Sequence, residues 1–299
     1  MESIKLHENN VKVLVTGVAG FIGSNIAEFL KNNNFEFIEG DICDYGVCER
    51  CTSGIDFVYH EAAWGSVPKS IAYPLEYTKN NIMGMHNMLQ ASYVNGVKTF
   101  VYASSASVYG DDEHKMKEVG LEGNLLSPYA LSKKADEDLA KLYHSLYGLN
   151  TVGLRYFNVF GKRQSPNLEY SAVIPKFIKA IINGEHITIF GDGEQSRDFT
   201  YVENVVDANI KASMAGEEAW GKVFNVACGE STSVNKLYKY ISQILKKETK
   251  IEYKPTRKGD IKNSLANISE TTRVLGYIPK FSILDGLEKT ISWYKETYK

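Results

Sequence analysis

The chain has 299 residues, enough for one large domain or two fused domains. Its 36 acidic and 34 basic residues give a net charge of −2, without a basic block or an apolar run long enough to span a membrane, so neither nucleic acid nor a membrane is an expected partner. The first ten residues are polar without a signal-peptide core, and four cysteines are too few for a disulfide framework, so we expect a cytoplasmic protein.

The first predicted strand, around Val15, ends in a glycine turn. Gly17, Gly20 and Gly23 follow at intervals of three, and residues 21–31 have the apolar spacing of a helix. Gly17 permits a tight turn, Gly20 lets the backbone approach a pyrophosphate, and Gly23 lets the helix pack close to the strand. With the anion-binding N-terminus of the helix, this pattern predicts a dinucleotide site; a strand-turn-helix without a ligand is the alternative.

Strands and helices alternate through the first half of the chain. Strands are predicted at residues 35–39, 56–60, 99–103 and 151–156, and helices at 74–93 and from Ser127-Pro128 onward. This alternation predicts an α/β fold with a doubly wound parallel sheet. Ligands of such sheets bind beyond the carboxyl ends of the strands, so we expect Gly17, Asp41, Ala62 and Ser105 to share one crevice.

The pattern changes near residue 165. We predict a dinucleotide domain over residues 1–165, with returning segments near 196–220 and 260–276, and a smaller substrate domain over residues 166–299. The substrate domain has predicted helices at 172–183, after Ser233 and after the capping box of Ser282 and Asp285. In the last helix we expect Leu284, Leu287 and Ile291 to be buried.

Tyr129 and Lys133 lie four residues apart and therefore on one face of the helix after Ser127. Tyrosine normally loses its proton near pH 10, and a lysine one turn away stabilises the phenolate. Such a tyrosine can take a proton from a sugar hydroxyl while hydride leaves the same carbon, and Ser105 at the end of a strand is placed to hydrogen-bond that hydroxyl. An exposed helical pair is the alternative.

The cysteines suggest a different chemistry, which we do not favour. Cys48 and Cys51 form a C-x-x-C pair, but no second pair and no paired histidines complete a set of four zinc ligands. We therefore predict no metal site.

Several motifs together resemble the extended short-chain dehydrogenase/reductase family, and within it the nucleotide-sugar 4-epimerases. They are Thr16-Gly17 with Gly20 and Gly23, Gly40-Asp41-Ile42, His60-Glu61-Ala62-Ala63, Asn80-Asn81, Ser104-Ser105-Ala106, Tyr129 with Lys133, Arg155-Tyr156-Phe157-Asn158, Arg197-Asp198-Phe199 and Arg257-Lys258-Gly259-Asp260. The resemblance implies a Rossmann-type fold and a bound NAD that oxidises carbon 4 of a UDP-sugar and returns hydride to its opposite face.

The resemblance also implies the site residues. The catalytic residues are Ser105, Tyr129 and Lys133. The cofactor contacts are Gly17, Gly20, Phe21, Ile22, Gly23, Asp41, Ile42, Ala62, Ala63, Asn81, Tyr129, Lys133 and Tyr156. The substrate contacts are Gly65, Ser66, Ser105, Ser107, Tyr129, Asn158, Gln164, Ala172, Val173, Arg197, Arg257, Asp260 and Ser264. Arg197 and Arg257 are expected to hold the diphosphate, because guanidinium groups pair well with phosphate oxygens.

The set of Gly65, Ser66, Gln164, Ala172 and Ser264 resembles epimerases that prefer N-acetylated sugars, because a small residue at 264 leaves room for an acetamido group. UDP-GlcNAc and UDP-GalNAc are therefore the expected pair, with UDP-Glc and UDP-Gal as a second activity. Another nucleotide-sugar reaction, by a reductase or a decarboxylase, and a non-catalytic UDP-sugar-binding protein remain alternatives. The family also implies a homodimer through the helices containing Asn81 and Tyr129.

One departure from the family lies after Leu30. Relatives have a strand that ends in an acid, then a loop and a helix, before the segment that matches residues 35–41. We therefore expect residues 35–39 to pair with the strand at 13–16 and to replace the missing strand, because connections are short and right-handed. The sheet would be one strand narrower, Glu39 or Asp41 would replace the lost ribose acid, and NAD would be held less tightly.

Overall fold

The structure is a computed structural model that describes residues 11–30, 36–166, 172–256 and 262–297. Its strands are β1 Val13–Thr16, β2 Phe57–His60, β3 Thr99–Ser105, β4 Met116–Lys117, β5 Thr151–Tyr156, β6 Val159–Phe160, β7 Ile187–Phe190, β8 Ser196–Arg197, β9 Thr200–Tyr201, β10 Lys222–Val226, β11 Thr232–Ser233, β12 Ile251–Lys254 and β13 Asn263–Ala266. Its α-helices are α1 Phe21–Leu30, α2 Tyr45–Thr52, α3 Val67–Ala72, α4 Pro74–Tyr77, α5 Gly84–Val94, α6 Pro128–Tyr147, α7 Val173–Asn183, α8 Val202–Ser213, α9 Val234–Leu245, α10 Ser269–Leu275 and α11 Ile283–Thr297. A π-helical turn, Thr78–Met83, joins α4 to α5, so the helix predicted over 74–93 is confirmed.

The chain divides into two compact units. The first unit comprises Met1–Val108, Leu125–Arg155 and Ala208–Phe224, and the second comprises Tyr109–Asn124, Tyr156–Asp207 and Asn225–Lys299. The division falls after residue 155, and residues 208–224 return to the first unit. The sequence predicted a domain boundary near residue 165, with returning segments at 196–220 and 260–276. That prediction is about domains that fold independently, whereas the two units are defined by contacts, so it stays a prediction.

A parallel five-stranded sheet in the order β1-β2-β3-β5-β10 confirms the predicted Rossmann-type α/β fold. Val13 pairs with Phe57 and Thr16 with His60, and β2 continues in parallel register with β3. Val58 and Phe100 are fully buried because a parallel sheet is covered on both faces. The parallel register places Thr16 and His60 side by side where β1 and β2 end.

The strand predicted at residues 35–39 is wrong for its described part. Residue 35 lies outside the described residues, residues 36–40 form no strand, and Phe37 is 74% exposed. A parallel strand beside β1 would be covered on both faces, and the burial of Glu36 and Glu39 there without a paired charge would be costly. Within the described residues the sheet ends at β1 on this side, and the predicted replacement of a missing strand does not occur.

Among the described residues, the second unit contains three small sheets, β11-β8-β13-β4, β12-β7 and β6-β9. The predicted capping box is confirmed: the Ser282 backbone N–H donates to Asp285 (2.9 Å), and the Asp285 N–H donates to Ser282 Oγ (3.3 Å). Ile283, Leu287 and Ile291 form the buried face of α11. Leu284 was expected in this face and is 41% exposed, because a helix that begins at Ile283 turns the next residue about 100° away.

Candidate functional site

The glycine turn after β1 has the tight geometry that its sequence predicted. Gly17 has a φ of +70°, and a Cβ there would lie 2.8 Å from the Ala62 backbone nitrogen. A Cβ on Gly23 would lie 2.4 Å from the Gly17 carbonyl oxygen, and the Gly20 N–H donates to that oxygen at 2.8 Å. Only glycine fits at positions 17 and 23, and a Cβ at position 20 would lie a tight 3.1 Å from the Gly17 carbonyl oxygen. The turn therefore opens a backbone cradle at the N-terminus of α1, where Phe21 and Ile22 begin the helix. This cradle suits a pyrophosphate.

A hydrogen-bond network holds the loop after β2 against this turn. His60 Nδ1 and Thr16 Oγ1 lie 2.9 Å apart, and the Ala62 N–H donates to the same hydroxyl at 3.1 Å. Burial, with the nearby Lys133 charge, lowers the pKa of His60 to about 3, so this imidazole is neutral at physiological pH. Gly17 and Ala62, two of the four residues predicted to share a crevice, are therefore in direct contact, with Ala63 next in the chain.

Helix α6 carries Tyr129 and Lys133. Its start is the one predicted: Ser127 caps the helix through the Ala130 N–H at 3.1 Å, and Pro128 occupies the first turn. Lys133 is buried, and its Nζ donates to the Ala103 carbonyl at 3.0 Å and to Asp136 at 3.1 Å. Burial acts to lower the pKa of Lys133, but the Asp136 carboxylate and Tyr129 outweigh it, and the pKa is raised. The ammonium is thus charged one turn from the Tyr129 phenol.

The half-buried Tyr129 ring lies edge-on to Tyr77, with centroids 6.3 Å apart, and Tyr77 lies edge-on to Trp64 at 5.5 Å. Tyr77 is buried, and its hydroxyl accepts a hydrogen bond from the Ser66 N–H at 3.1 Å. This aromatic column orients Tyr129 and links it to the loop that contains Ser66. Tyr77 was missed by sequence reasoning, since helical spacing indicates burial but not a ring contact.

Ser105 ends β3, and its Oγ accepts a hydrogen bond from the Ser107 N–H at 3.1 Å in a short 3₁₀ helix, Ala106–Tyr109. The buried Ser107 Oγ has no hydrogen-bond partner among the described residues. Beneath this strand end, Ser104 donates to Glu137 at 2.5 Å, and Glu137 accepts two bonds of 2.8 Å from Arg155. This buried network fixes α6 to the strands that carry the predicted catalytic serine.

Asn81 lies in the π-helical turn and is buried. Its amide accepts from the Trp64 N–H at 2.9 Å, and donates to the Trp64 carbonyl at 3.1 Å and to Ser132 Oγ at 3.0 Å. Asn81 therefore supports the loop that leads to Gly65, where a Cβ would meet open space. π-helical turns occur frequently at functional sites. Contact of Asn81 with a cofactor stays a prediction.

On the predicted adenosine side, Asp41 is exposed, and its carboxylate accepts from the Cys43 N–H at 2.9 Å. Ile42 anchors the segment: its side chain is so close to Gly84 that a Cβ there would lie 2.5 Å away, and its carbonyl accepts from Asn87 at 2.9 Å.

Burial raises the pKa of the Cys48 thiol to about 12, so Cys48 is a packing residue at neutral pH. Tyr156 is buried at the end of β5.

The second unit contains a cavity of about 740 Å³. Four predicted substrate contacts line it: Asn158, Ala172, Val173 and Arg197. Asn158 has a left-handed φ of +35°. For a non-glycine residue this backbone conformation costs about 1–3 kcal/mol, and such conformations cluster at binding sites. The Asn158 Nδ2 donates to the Asp198 carbonyl at 3.0 Å. Sequence reasoning missed the rest of the lining, which includes Phe177, Phe190, Lys176, Lys179 and Lys254.

Apolar walls combined with several cationic side chains suit a ligand with an aromatic base and a diphosphate. Gln164 braces the loop through the Val159 carbonyl at 3.1 Å. Ser264 is a buried residue of β13 opposite Arg197, rather than a solvated loop residue. Neither is part of the described cavity lining. Arg257 and Asp260 lie outside the described residues.

In the part of the chain that the structure describes, no helix is long and apolar enough to cross a membrane. Within the same residues, no group of three or more histidine, cysteine or acidic side chains is arranged to hold a metal ion.

Residues 13–227 match the sequence model of the NAD dependent epimerase/dehydratase family. A UDP-glucuronate 4-epimerase of Thermodesulfobacterium geofontis is 34% identical, over 95% of this chain and 96% of its own. The UDP-glucose 4-epimerase of Thermotoga maritima, solved with UDP-glucose, superposes with a TM-score of 0.91 at 34% identity, covering 97% of this chain and 100% of its own. The UDP-N-acetylglucosamine 4-epimerase of Methanobrevibacter ruminantium M1, solved with UDP-N-acetylmuramic acid, superposes with a TM-score of 0.90 at 38% identity. The superposition covers 96% of this chain and 98% of that protein.

The alignment with the Thermodesulfobacterium protein spans 317 positions, more than the 299 residues of this chain. That relative therefore has residues without a counterpart here.

Proposed function

Since the chain belongs to the NAD dependent epimerase/dehydratase family, we propose that it is an NAD-dependent UDP-sugar 4-epimerase. The observation that carries this proposal is the pairing on α6 of a half-buried Tyr129 with a buried, charged Lys133. The relatives described above are all named as 4-epimerases of UDP-sugars. The same fold supports other chemistries, so the proposal depends on these side chains and not on the fold alone.

The glycine cradle fits the cofactor, because Gly17, Gly20 and Gly23 leave the backbone open where a pyrophosphate approaches the N-terminus of α1. Ala62, Ala63 and Lys133 are the further residues of the first unit that would hold it, and Tyr156 stays a predicted contact. When bound, NAD takes hydride from carbon 4 of the sugar and returns it. The protein supplies positioning and proton transfer.

In the proposed reaction, Ser105 hydrogen-bonds the 4-hydroxyl of the sugar, and Tyr129 accepts its proton as the carbon–hydrogen bond breaks. Lys133 stabilises the phenolate by its positive charge. The resulting 4-keto sugar rotates within the site so that its opposite face is presented to hydride. Tyr129 returns the proton once hydride has been added to that face. No net oxidation or reduction occurs, so one cofactor serves repeated turnovers.

For the nucleotide, we propose that the cavity of the second unit takes UDP. Arg197 and the lysines of the lining suit the diphosphate, and the apolar wall that includes Val173, Phe177 and Phe190 suits the uracil ring. Arg257, Asp260 and Gln164 stay predicted substrate contacts.

For the sugar, we propose UDP-GlcNAc and UDP-GalNAc as the preferred pair, with UDP-Glc and UDP-Gal as a second activity. The support is the small, buried Ser264 of the second unit, which lies opposite Arg197 of the cavity lining. Ser264→Tyr should reduce turnover of UDP-GlcNAc more than that of UDP-Glc, because overpacking typically costs about 1–3 kcal/mol. An unchanged ratio of the two activities would assign the selection to other residues.

The decisive experiment incubates the purified protein with UDP-GlcNAc, UDP-Glc or UDP-glucuronate, each with and without added NAD. We expect conversion to the 4-epimer, fastest with UDP-GlcNAc. Net accumulation of a reduced or decarboxylated product would favour the reductase or decarboxylase alternative. Tight UDP-sugar binding without any product at saturating NAD would favour the non-catalytic alternative, to which the exposed segment of residues 36–41 lends support.

We also propose a homodimer through the helical segment of residues 74–94, which contains Asn81, and through α6, which contains Tyr129. The predicted apolar positions divide into two sets: Met85 and Met88 are buried in the core of the first unit, whereas Leu142 and Leu146 are exposed on α6. The exposed set is available for a second copy of the chain. Sedimentation that shows only monomer at micromolar concentration would contradict this assembly. The four free thiols support the predicted cytoplasmic location.

A further inference from the structure

A buried carboxylate, Asp136, lies beside the proposed catalytic pair of Tyr129 and Lys133. Asp136 follows Lys133 by one turn of α6 and is 2% exposed. Its Oδ2 accepts a hydrogen bond from Lys133 Nζ at 3.1 Å, and no described residue donates a hydrogen bond to its Oδ1. The proton transfer proposed above uses Tyr129 and Lys133 and leaves this buried charge without a role.

The same helix contains a surface pair of the same types, which serves as an internal reference. Lys134 binds Asp138, and the Asp138 side chain is 61% exposed. A surface pair of this kind costs little to form and contributes little to stability. A buried pair loses the hydration of both charges, and its formation is often no better than apolar packing. Stability alone therefore does not account for Asp136.

We propose that Asp136 is a positioning residue that orients Lys133 and offsets its charge, and that it thereby sets the pH range in which Tyr129 works as a base. This inference rests on the proposed epimerase function. The geometry supports it directly, since the Lys133 ammonium is held between two acceptors, the Ala103 carbonyl at 3.0 Å and Asp136 at 3.1 Å. With one of them removed, the long lysine side chain gains freedom to turn away from Tyr129.

The charges around Asp136 come from several elements. Glu137 is next to it on α6 and is paired with Arg155 of β5, and Tyr102 faces it from β3. Around Lys133 the groups are Tyr129 on α6, His60 at the end of β2 and Glu61 just after it. Burial keeps His60 neutral and raises the pKa of Tyr102 well above its usual value, so neither carries charge near neutral pH. Asp136 is thus the carboxylate that directly pairs with the Lys133 charge.

Two effects follow from loss of this carboxylate. The Lys133 ammonium then acts unopposed on Tyr129, so the phenolate forms at lower pH. Burial also acts more strongly on Lys133, so its proton is lost at lower pH. Asp136 and Tyr129 are seven residues apart, roughly 10 Å along the helix axis. At that separation one charge shifts a titration by about half to one pH unit.

The test compares pH profiles of turnover, at saturating NAD, for the wild type and three variants. In Asp136→Asn, which keeps an acceptor for Lys133 but removes the charge, the acid limb should move to lower pH by about 0.5–1 unit. The alkaline limb should move to lower pH by more than this, because Asp136 lies 3.1 Å from Lys133. Asp136→Glu should restore the wild-type profile, and the surface control Asp138→Asn should not move either limb. Limbs that coincide within about 0.2 unit in wild type and Asp136→Asn would overturn the proposal.

A second readout does not depend on turnover. Burial, opposed by the Lys133 charge, raises the pKa of Asp136 to about 6. Because this folded-state pKa exceeds the unfolded value, the associated stability is present below pH 4 and is lost as pH rises to about 6. Urea unfolding of the wild type should therefore lose stability relative to Asp136→Asn between pH 4 and 6, while Asp138→Asn follows the wild type.

The two readouts separate two failures. A wild type without epimerase activity would refute the proposed function, and a double-mutant cycle of Asp136→Asn and Lys133→Met, measured by urea unfolding at about pH 8, would still decide whether Asp136 is coupled to Lys133. Additive losses of stability in this cycle would overturn that coupling. If Asp136→Asn does not fold, Asp136→Ala takes its place, because alanine favours the helix and also removes the charge. Asp136→Ala should show the same shift of both limbs, and unmoved limbs would again overturn the proposal.

Discussion

The two ends of the predicted cofactor site are built differently. At the catalytic end, Lys133 is buried between two acceptors and Glu137 makes three hydrogen bonds. At the adenosine end, residues 36–40 form no strand, and Asp41 is exposed and accepts a hydrogen bond from its own turn. The catalytic end is therefore preorganised by buried contacts, and the adenosine end is open to solvent.

This difference implies a division of roles. Preorganised groups favour the chemical step because they need no rearrangement when charge develops. An exposed nucleotide contact contributes little affinity, because water and salt compete with it. We therefore expect NAD to be held mainly at the glycine turn and to exchange during purification. Copurification of stoichiometric, non-exchanging NAD would contradict this view.

The largest effect should come from the buried network under the catalytic end. Glu137→Ala removes the carboxylate that accepts two hydrogen bonds from the buried Arg155 guanidinium, and breaking a buried ion pair typically costs about 3–5 kcal/mol of stability. The matched control is Glu270→Ala, which removes an exposed partner of Arg273 and should cost less than about 1 kcal/mol. Urea unfolding of both variants measures the difference. Equal effects would show that burial adds nothing to the ion pair at the catalytic end.

Tyr129→Phe should lower turnover by at least about a hundredfold, since it removes a positioned acid–base group and keeps the ring contact with Tyr77. UDP-sugar binding should persist. Tyr147→Phe, on the exposed part of the same helix, is the control and should leave turnover unchanged. Near-normal turnover in Tyr129→Phe would remove this residue from the mechanism.

The sequence was sufficient for features set by local rules. The Ser127 cap, the glycine turn and the spacing of Tyr129 and Lys133 depend on neighbours in the chain, and the structure agrees with the predicted elements there. The roles of Tyr77 and Asn81 depend on contacts with Trp64 and Ser132, 13 to 51 residues away in the chain, so spacing alone did not reveal them.

The error at residues 35–39 has a related cause. The short apolar run around Phe37 and Ile38 has the local pattern of a strand, but a strand also needs a partner and cover on both faces. The resemblance to longer relatives predicted a vacant place beside β1, and short connections favoured filling it. Glu36 and Glu39 flank this run, and residues 36–40 are exposed and form no strand.

Gly17→Ala tests the region between the two ends. Its Cβ would lie 2.8 Å from the Ala62 backbone at a φ of +70°, so it should destabilise the fold by about 1–3 kcal/mol and weaken NAD binding. Gly54 has a φ of +69° with no atom within 4 Å of an added Cβ, so Gly54→Ala isolates the backbone strain, about 1 kcal/mol. Equal loss in both variants would mean that the close approach to Ala62 is not required.

The smallest effect should come from the adenosine end. Asp41→Asn keeps an oxygen that can accept from the Cys43 N–H, so the turn is preserved while the charge is lost. A solvent-exposed hydrogen bond to a ribose hydroxyl contributes at the low end of the usual range, about 0.5–1 kcal/mol, so the Kd for NAD should rise only about two- to fivefold. Fluorescence titration with NADH measures this change, and Glu39→Gln, at the other candidate acid, should change the Kd even less. A rise of more than about tenfold in Asp41→Asn would identify a strong adenosine anchor, and the contrast between the ordered and the open end would then not extend to affinity.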